Sequence, residues 1–350
     1  FHVTVIDTTP NSPAGQVVDR QIVADFTDEK AIRDLAATSD FLTFEIELAN
    51  AAILDELSKS GLEINPSAKT LSIIKDKLLQ KQFLTKAKIP VAQFLQVETV
   101  EDIKNAAKKF KYPIVLKARF DAYDGRGNAL IKKENEIEKA LEKLTGRKLY
   151  VEKFVSFTKE LAVMVARSTN GEIKVYPVVE TVHKNNICHI VYAPAPIKPA
   201  IKKKAEKLAK TVMKNLGGAG VFGVEMFLTK KGEILINEIA PRVHNSGHYS
   251  IEACITNQFE QHIRAISGLP LGSTEMVVPA AVMVNILGER KRTAEIQGLE
   301  KALKIPGVAV HIYGKAETKL ERKMGHITAL DTTLAKAYKK AIRARKYLKI

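Results

Sequence analysis

The sequence predicts an α/β protein of more than one domain, and three features carry that expectation. Strand and helix patterns alternate strictly from residue 2 to residue 58, which builds parallel sheet from βαβ units. Between residues 160 and 193 long strands follow one another with no helix between them, the mark of antiparallel pairing. A chain of 350 residues that is 45% hydrophobic and 27% charged can bury more than one core, which excludes a small stapled fold.

Taken in order, residues 2–6 alternate into a β-branched run that ends at Asp7, and Thr8-Thr9-Pro10-Asn11-Ser12-Pro13 breaks the backbone after it. A strand at 21–26, a helix at 28–37, a strand at 41–44 and a helix at 50–58 complete the first unit. Ser67 is a good N-cap for a Lys-rich helical pattern that extends to Ala87, and Ile89-Pro90 closes it. Strand patterns follow at 93–97, 113–118, 128–132, 149–154, 160–167, 174–179, 188–193, 220–228 and 233–239. A last mixed segment, 270–350, holds strand patterns at 280–287, 309–313 and 326–329.

The 55 Lys and Arg exceed the 39 Asp and Glu by 16, which makes nucleic acid or an anionic membrane surface the first partner to test. Thirteen of those charges lie in residues 198–215 and 336–350. Each stretch carries apolar residues at helical spacing, Ile201, Ala205, Leu208 and Val212 in one, Tyr338, Ala341, Ile342 and Tyr347 in the other. Both therefore read as surface helices with Lys-coated outer faces. There is no Trp, no zinc-finger spacing and no aromatic residue among the lysines of the first stretch, so no nucleic-acid partner is expected. The longest apolar run, 277–284, is too short for a membrane span and is interrupted by Pro279. Two cysteines, Cys188 and Cys254, cannot make a disulfide framework and suit a reducing cytosol. No signal-peptide pattern opens the chain, although its first residue is not Met, and a cytoplasmic location is expected.

The chemistry-bearing residues fall in three groups. Tyr123-Asp124-Gly125-Arg126-Gly127-Asn128 lies between two strands, and its paired glycines permit a tight loop whose amides wrap phosphate oxygens; a plain hairpin connection is the competing reading. Lys117, on the inward face at the end of the preceding strand, and Lys77, in the helix before, would bring cations to those phosphates. Glu225 in Val224-Glu225-Met226-Phe227 and Glu238 in Ile236-Asn237-Glu238-Ile239 are flanked by apolar residues, and Lys230-Lys231-Gly232 joins their strands into a hairpin. A hairpin can place both carboxylates on one face, and Asn237 adds a neutral oxygen. Oxygen-only donors beside phosphate point to Mg²⁺, whereas two edge-strand acids facing water are the alternative. Last comes Ala240-Pro241-Arg242-Val243-His244-Asn245-Ser246-Gly247-His248, a donor-rich loop suited to a small oxyanion such as carboxylate, phosphate or bicarbonate. Zinc on His244 and His248 competes, without a cysteine or further His at ligand spacing to support it.

Together, Lys117 with the 123–128 loop, Glu225, Leu235-Ile236-Asn237-Glu238 and the 241–248 motif closely resemble the N5-carboxyaminoimidazole ribonucleotide synthetase family, ATP-grasp enzymes of purine biosynthesis. Asp76-Lys77, Gln80-Lys81, Glu152, Glu160, His183, Gln258-Phe259-Glu260-Gln261-His262, Tyr313-Gly314-Lys315 and Gly325-His326 extend the match along most of the chain. The resemblance implies an α/β ATP-grasp fold with an incomplete Rossmann-like N-terminal unit at 1–74, an ATP-grasp domain at 75–268 and a small C-terminal domain at 269–350 that completes the substrate site. Members of that family open with a strand and a Gly-rich loop that have no counterpart before Phe1, so an N-terminal sheet without its first strand is expected. Phe120-Asp121-Ala122 also departs from the small residues that often precede the loop.

The implied reaction is ATP-dependent carboxylation of 5-aminoimidazole ribonucleotide by bicarbonate, through carboxyphosphate. The resemblance implies that Lys77 and Lys117 hold the ATP phosphates, that Ala122, Tyr123, Asp124, Gly125, Arg126, Gly127 and Asn128 close over them, and that Glu225 and Glu238 bridge Mg²⁺ to them. Glu152 with the backbone of Lys153 and Val155 would face adenine, Glu160 the ribose, and His183 the nucleotide side of the cleft, with Asn237 beside the metal. Arg242, His244 and Asn245, with Ser246, would seat bicarbonate or carboxyphosphate, and Asp124, Arg126, Lys315 and Arg322 would bind the ribonucleotide. No side-chain nucleophile is required, which makes the two cysteines buried fillers. The resemblance also implies a homodimer. Another ATP-grasp carboxylate-amine ligase is the competing reading within the fold, and a nucleic-acid-binding protein on a vestigial nucleotide fold is the one outside it.

Overall fold

The computed structural model describes residues 1–121 and 126–350. Ala122, Tyr123, Asp124 and Gly125, expected in the phosphate loop, lie outside the described residues. In the first unit β1 (Thr4–Asp7) pairs in parallel with β2 (Arg20–Val23), and α1 (Glu29–Ala36) follows. Then β3 (Phe41–Leu42), α2 (Ala51–Lys59) and β4 (Glu63–Ile64) form a second parallel pair with its crossover helix. Asp28 accepts the N–H of Ala31 and Asn50 that of Ile53, so a side chain fixes each helix start. The core here is small, with Ile32, Leu42, Ile53, Leu54, Ile64 and Leu71 at its centre.

A single helical pattern was expected over 67–87, and the structure breaks it in two, α3 (Ala68–Lys75) and α4 (Lys77–Lys86). Asp76 leaves the helical backbone, its carboxylate accepts the N–H groups of Leu78 and Leu79, and Arg119 pairs with it. An aspartate offered both partners prefers the cap to the helix interior. The next elements are β5 (Phe94–Val97), α5 (Val100–Phe110), β6 (Ile114–Ala118), β7 (Asn128–Ile131), α6 (Ile137–Lys143) and β8 (Leu149–Lys153). Their strands make an antiparallel sheet in the order β5-β8-β6-β7, and Ile103, Phe110 and Ile137 of the helices pack on Ile114, Leu116, Ile131 and Val151.

The large sheet begins with β9 (Phe157–Arg167), β10 (Ile173–Val175), β11 (Val179–Lys184) and β12 (Ile187–Ala193), then α7 (Pro199–Leu216), β13 (Gly220–Thr229) and β14 (Ile234–Ala240). On β9, Leu161, Val163 and Val165 enter one core while Ala162, Met164 and Ala166 enter another, so both faces are covered and the run is continuously apolar. The short helix α8 (Ser250–Ala253) and α9 (Gln258–Ile266) lead to β15 (Ala280–Leu287), β16 (Arg292–Thr293), α10 (Leu299–Leu303), β17 (Val308–Ile312), β18 (Glu317–Thr318), β19 (Lys323–Asp331) and α11 (Leu334–Tyr347). The strand order is β14-β13-β9-β11-β12-β15-β19-β17, so the C-terminal strands β15, β19 and β17 extend the large sheet, while β16 and β18 pair with each other.

The basic helices lie as their patterning predicts on α7, where Ala205, Ala209, Val212 and Met213 are buried and six lysines face out. On α11 the buried residues are Ala337, Ala341 and Ala344, while Tyr338 and Tyr347, expected on the inward face, are each 37% exposed. A row of alanines lets the helix sit close to β15 and β19, and that leaves no depth for a ring. No described helix is long and apolar enough to cross a membrane.

Candidate active site

The site lies where the two larger sheets meet α4. Lys117 on β6 and Lys81 on α4 converge on the buried carboxylate of Glu152 on β8, at 3.2 and 3.0 Å. Burial alone would raise the Glu152 carboxyl, but the two ammonium groups outweigh it and hold it at about 2. Lys77, the first residue of α4, reaches both carboxylate oxygens of Glu238, at 2.8 and 2.9 Å. Gln80 ties α4 to β14 by accepting the N–H of Ile239 at 3.1 Å, and Lys81 donates to the Ile236 carbonyl at 3.3 Å.

Glu225 and Glu238 are direct cross-strand partners on β13 and β14. One step on, the register slips so that Met226 faces Ile236, and Asn237 is the extra residue. Strict alternation would send Asn237 to the face opposite Glu238. The bulge re-aims it, and its Nδ2 lies 3.5 Å from Glu225 Oε2. Its Oδ1 is buried with no hydrogen-bond partner among the described residues. Two carboxylates and an orphaned amide oxygen are the donor set of a hard divalent cation, so the residues fit Mg²⁺. Burial and the facing Glu238 charge push the Glu225 carboxyl above its ordinary value. Burial acts on Glu238 in the same way, but Lys77, Lys117 and Lys81 outweigh it and hold that carboxyl low.

Beyond β14, His244 places Nε2 3.4 Å from Glu225 Oε1 and Nδ1 2.7 Å from Ser246 Oγ. Gln258 clamps its backbone, accepting the His244 N–H at 3.0 Å and donating to its carbonyl at 2.9 Å. Burial, with the Arg242 and Lys323 charges, drives the imidazole well below its usual range and keeps it neutral. A methyl group at Gly223 would stand 2.7 Å from His244 Cβ, so β13 can meet this loop only through a glycine. Arg242 donates from Nε to Glu47 Oε1 at 3.0 Å and from a terminal nitrogen to the Val243 carbonyl at 3.0 Å. His183 Nδ1 on β11 lies 3.1 Å from Glu160 Oε2 on β9, close but not aligned as a hydrogen bond. Burial opposes the charged form of His183, and Glu160 outweighs it to raise the imidazole overall.

The other two segments close on this loop. Gln16 donates to the Gly314 carbonyl at 3.1 Å, and Thr43 Oγ1 lies 2.8 Å from His262 Nε2. Lys315 donates to the Lys323 carbonyl at 2.8 Å with its Nζ 5.6 Å from the Tyr313 ring centre. The Lys323 charge disfavours the protonated forms of His244 and His248 in the donor loop. The chain thus runs from three lysines, through an acid pair, to a neutral histidine and an arginine. Such a row can hold a polyphosphate at one end and a small oxyanion at the other.

Comparisons with known proteins cover the whole chain. Residues 82–259 match the ATP-grasp domain, residues 1–75 the ribonucleotide synthetase preATP-grasp domain, and residues 281–340 the phosphoribosylaminoimidazole carboxylase C-terminal domain. A crystal structure of N5-carboxyaminoimidazole ribonucleotide synthetase from Thermotoga maritima is 50% identical, with a TM-score of 0.91 over 100% of this chain and 92% of that one. The chain belongs to the N5-carboxyaminoimidazole ribonucleotide synthetase family of ATP-grasp proteins. An Aspergillus clavatus member, solved with ADP and 5-aminoimidazole ribonucleotide, is 37% identical with a TM-score of 0.90, covering 98% of this chain and 91% of its own. The phosphoribosylaminoimidazole carboxylase of Candida albicans is 47% identical over 95% of this chain but only 61% of its own length, so the chain spans about three fifths of that protein.

Within this synthetase-family site several expected residues take other positions. Glu152, expected at the adenine edge, turns its carboxylate onto Lys81 and Lys117, because two buried ammonium groups need a counter-ion. Of the Lys153 backbone, expected to face the base, the N–H donates to the Gln93 carbonyl at 2.8 Å. Asn245 forms a reciprocal amide pair with Asn285, at 3.0 and 2.7 Å, and Ser246 is buried against His244, so both brace the loop. Arg322 donates to the Glu317 carbonyl at 2.8 Å. Arg126 is exposed at the edge of the described residues, Gly127 accepts the Ala118 N–H at 2.8 Å, and Asn128 opens β7 opposite Lys117. Glu47, Asn285 and Lys323 were missed by sequence reasoning. Nothing in their local patterns marks them, since each is defined by a partner from a distant segment.

Proposed function

We propose that the protein carries out the ATP-dependent carboxylation of 5-aminoimidazole ribonucleotide with bicarbonate, giving N5-carboxyaminoimidazole ribonucleotide, ADP and phosphate in de novo purine (IMP) biosynthesis. One observation carries this reading: the unbroken line Lys77, Glu238, Glu225, His244, in which the acid pair joins a phosphate-binding end to an oxyanion-binding end. A γ-phosphoryl group lying over that pair would face an oxyanion seated beside His244 and Arg242. A bicarbonate oxygen then bonds to the γ-phosphorus as ADP leaves, forming carboxyphosphate. The amine of the ribonucleotide takes up the carboxyl carbon, and phosphate departs.

Lys77 and Lys117 would hold the phosphates and residues 122–128 would cover them, while Glu160 and His183 would border the ribose and the Val155 backbone the base. Mg²⁺, held by Glu225, Glu238 and Asn237, would neutralise charge developing on the phosphates. Asp124 and Arg126, with Lys315 and Arg322, would bind the ribonucleotide, the basic pair Lys315 and Arg322 on its phosphate. Carboxyphosphate hydrolyses readily, so closing the site must precede attack by the amine. A cytoplasmic homodimer needing no nucleic acid or membrane completes the proposal. The test is phosphate release from ATP and Mg²⁺: it should require both bicarbonate and the ribonucleotide, and neither formate nor an amino acid should replace bicarbonate. Release that ignores the ribonucleotide, or none at all, overturns the assignment.

A further inference from the structure

Next to the donor loop lies a second cluster that the proposed reaction does not use. His311 on β17 and His326 on β19 are register partners, and their rings stack at 4.5 Å between centres and 16° between planes. Glu252 on α8 reaches them from the loop side, with Oε1 2.5 Å from His311 Nε2. One donor atom from each of the three residues lies within 4.8 Å of the others. Two donor atoms are unspent: Glu252 Oε2 and His326 Nε2 are buried with no hydrogen-bond partner among the described residues. His326 is only 2% exposed, so no solvent compensates that nitrogen. On its other side the Tyr313 hydroxyl lies 2.9 Å from Nδ1, and with Nδ1 as the donor in that contact Nε2 would keep its lone pair for a ligand.

We propose that Glu252, His311 and His326 bind a transition-metal ion of the zinc class, at a site separate from the all-oxygen Mg²⁺ site on Glu225, Glu238 and Asn237. Two imidazoles and one carboxylate, with a fourth position left to water, form a recurrent zinc set, and donors in a tetrahedral set stand about 3.3 Å apart. The Glu252–His311 contact is a hydrogen bond and is shorter than that, so the ion would take its place and part the two donor atoms. Nitrogen donors favour zinc-class ions, while hard oxygen donors favour magnesium, so one chain can sort the two. The ion would tie α8, which follows the donor loop, to the C-terminal strands.

The test uses the full chain, stripped with a chelator and titrated with Co²⁺ in excess Mg²⁺ to occupy the oxygen site. The expected result is one Co²⁺ per chain, with the strong visible bands of a low-coordinate, nitrogen-ligated ion, displaced by Zn²⁺ and not by more Mg²⁺. His311→Ala and Glu252→Gln, each checked for native circular dichroism, should weaken Co²⁺ binding by about 100-fold. Folded wild-type protein that takes up neither Co²⁺ nor Zn²⁺ at micromolar concentration overturns the proposal, as does a folded His311→Ala chain that binds as tightly as wild type. The readout is binding alone, so loss of the carboxylation assignment would leave it standing.

Discussion

Glu225 is the residue at which the proposed function would cost the free protein stability. It is half-buried, and it faces Glu238 across the hairpin with His244 held neutral on its other side. Burial and the Glu238 charge both favour its protonated form, so the folded chain binds that proton more tightly than the unfolded chain does. Stability must then fall as pH rises through the raised value. Replacing Glu225 with Gln should therefore raise the melting temperature of the metal-free protein at neutral pH, by about 2 °C for a chain of this size. The gain should shrink as pH falls through the raised value and vanish below the ordinary carboxyl value of 4.5. The same substitution should abolish turnover and remove the extra stabilisation that Mg²⁺ and ATP give the wild type. Scanning calorimetry from pH 4 to 8 checks this, and a lower melting temperature for the variant at neutral pH would show that the acid pair is not strained.

At the scale of elements, β13 positions the donor loop by omitting a side chain. Gly223 stands beneath His244, where an added methyl would approach its Cβ to 2.7 Å. Gly223→Ala should leave ATP affinity near wild type, since Lys77, Lys81 and Lys117 lie on other elements, and should cut kcat/KM for bicarbonate by roughly tenfold or more. Equal losses in ATP and bicarbonate binding would mean that the strand itself had moved. This contact also shows what was legible in the sequence. The alternation of β13 and β14 and the turn between them were enough to pair Glu225 with Glu238, because period-two patterning and turn chemistry are local. The bulge that brings Asn237 to the same face has no local signature, and only the register reveals it. Asp76 carries a cap signal inside a pattern that is helical on either side, so the break between α3 and α4 shows only in the structure. Asn245 pairs with Asn285 and Ser246 with the His244 ring, and the first of these partners lies forty residues away, beyond the reach of any local pattern. Arg242 and Glu47 are 195 residues apart, a distance over which sequence pattern says nothing about pairing.

For the molecule as a whole, the +16 charge divides into a working part and a solvating part. The working cations, Lys77, Lys81, Lys117 and Arg242, are each matched to an acid on another element, and that cross-bracing joins the N-terminal unit, both sheets and α4 around one site. The lysines of α7 instead face outward from a helix whose inner face is alanine, valine and methionine. At about 0.1 M salt the screening length is about 10 Å, so charges on that outer face should contribute little at the acid pair. Replacing Lys203, Lys207, Lys210 and Lys214 together with Gln lowers the net charge by four and should leave kcat/KM for ATP within about twofold of wild type at that ionic strength. It should also reduce whatever weak retention of nucleic acid the wild type shows at low salt, and neither protein should shift a nucleic-acid probe at about 200 mM salt. A wild-type complex that survives at that salt and disappears in the variant would make α7 a binding surface, and the surplus charge would then have a partner beyond solvent.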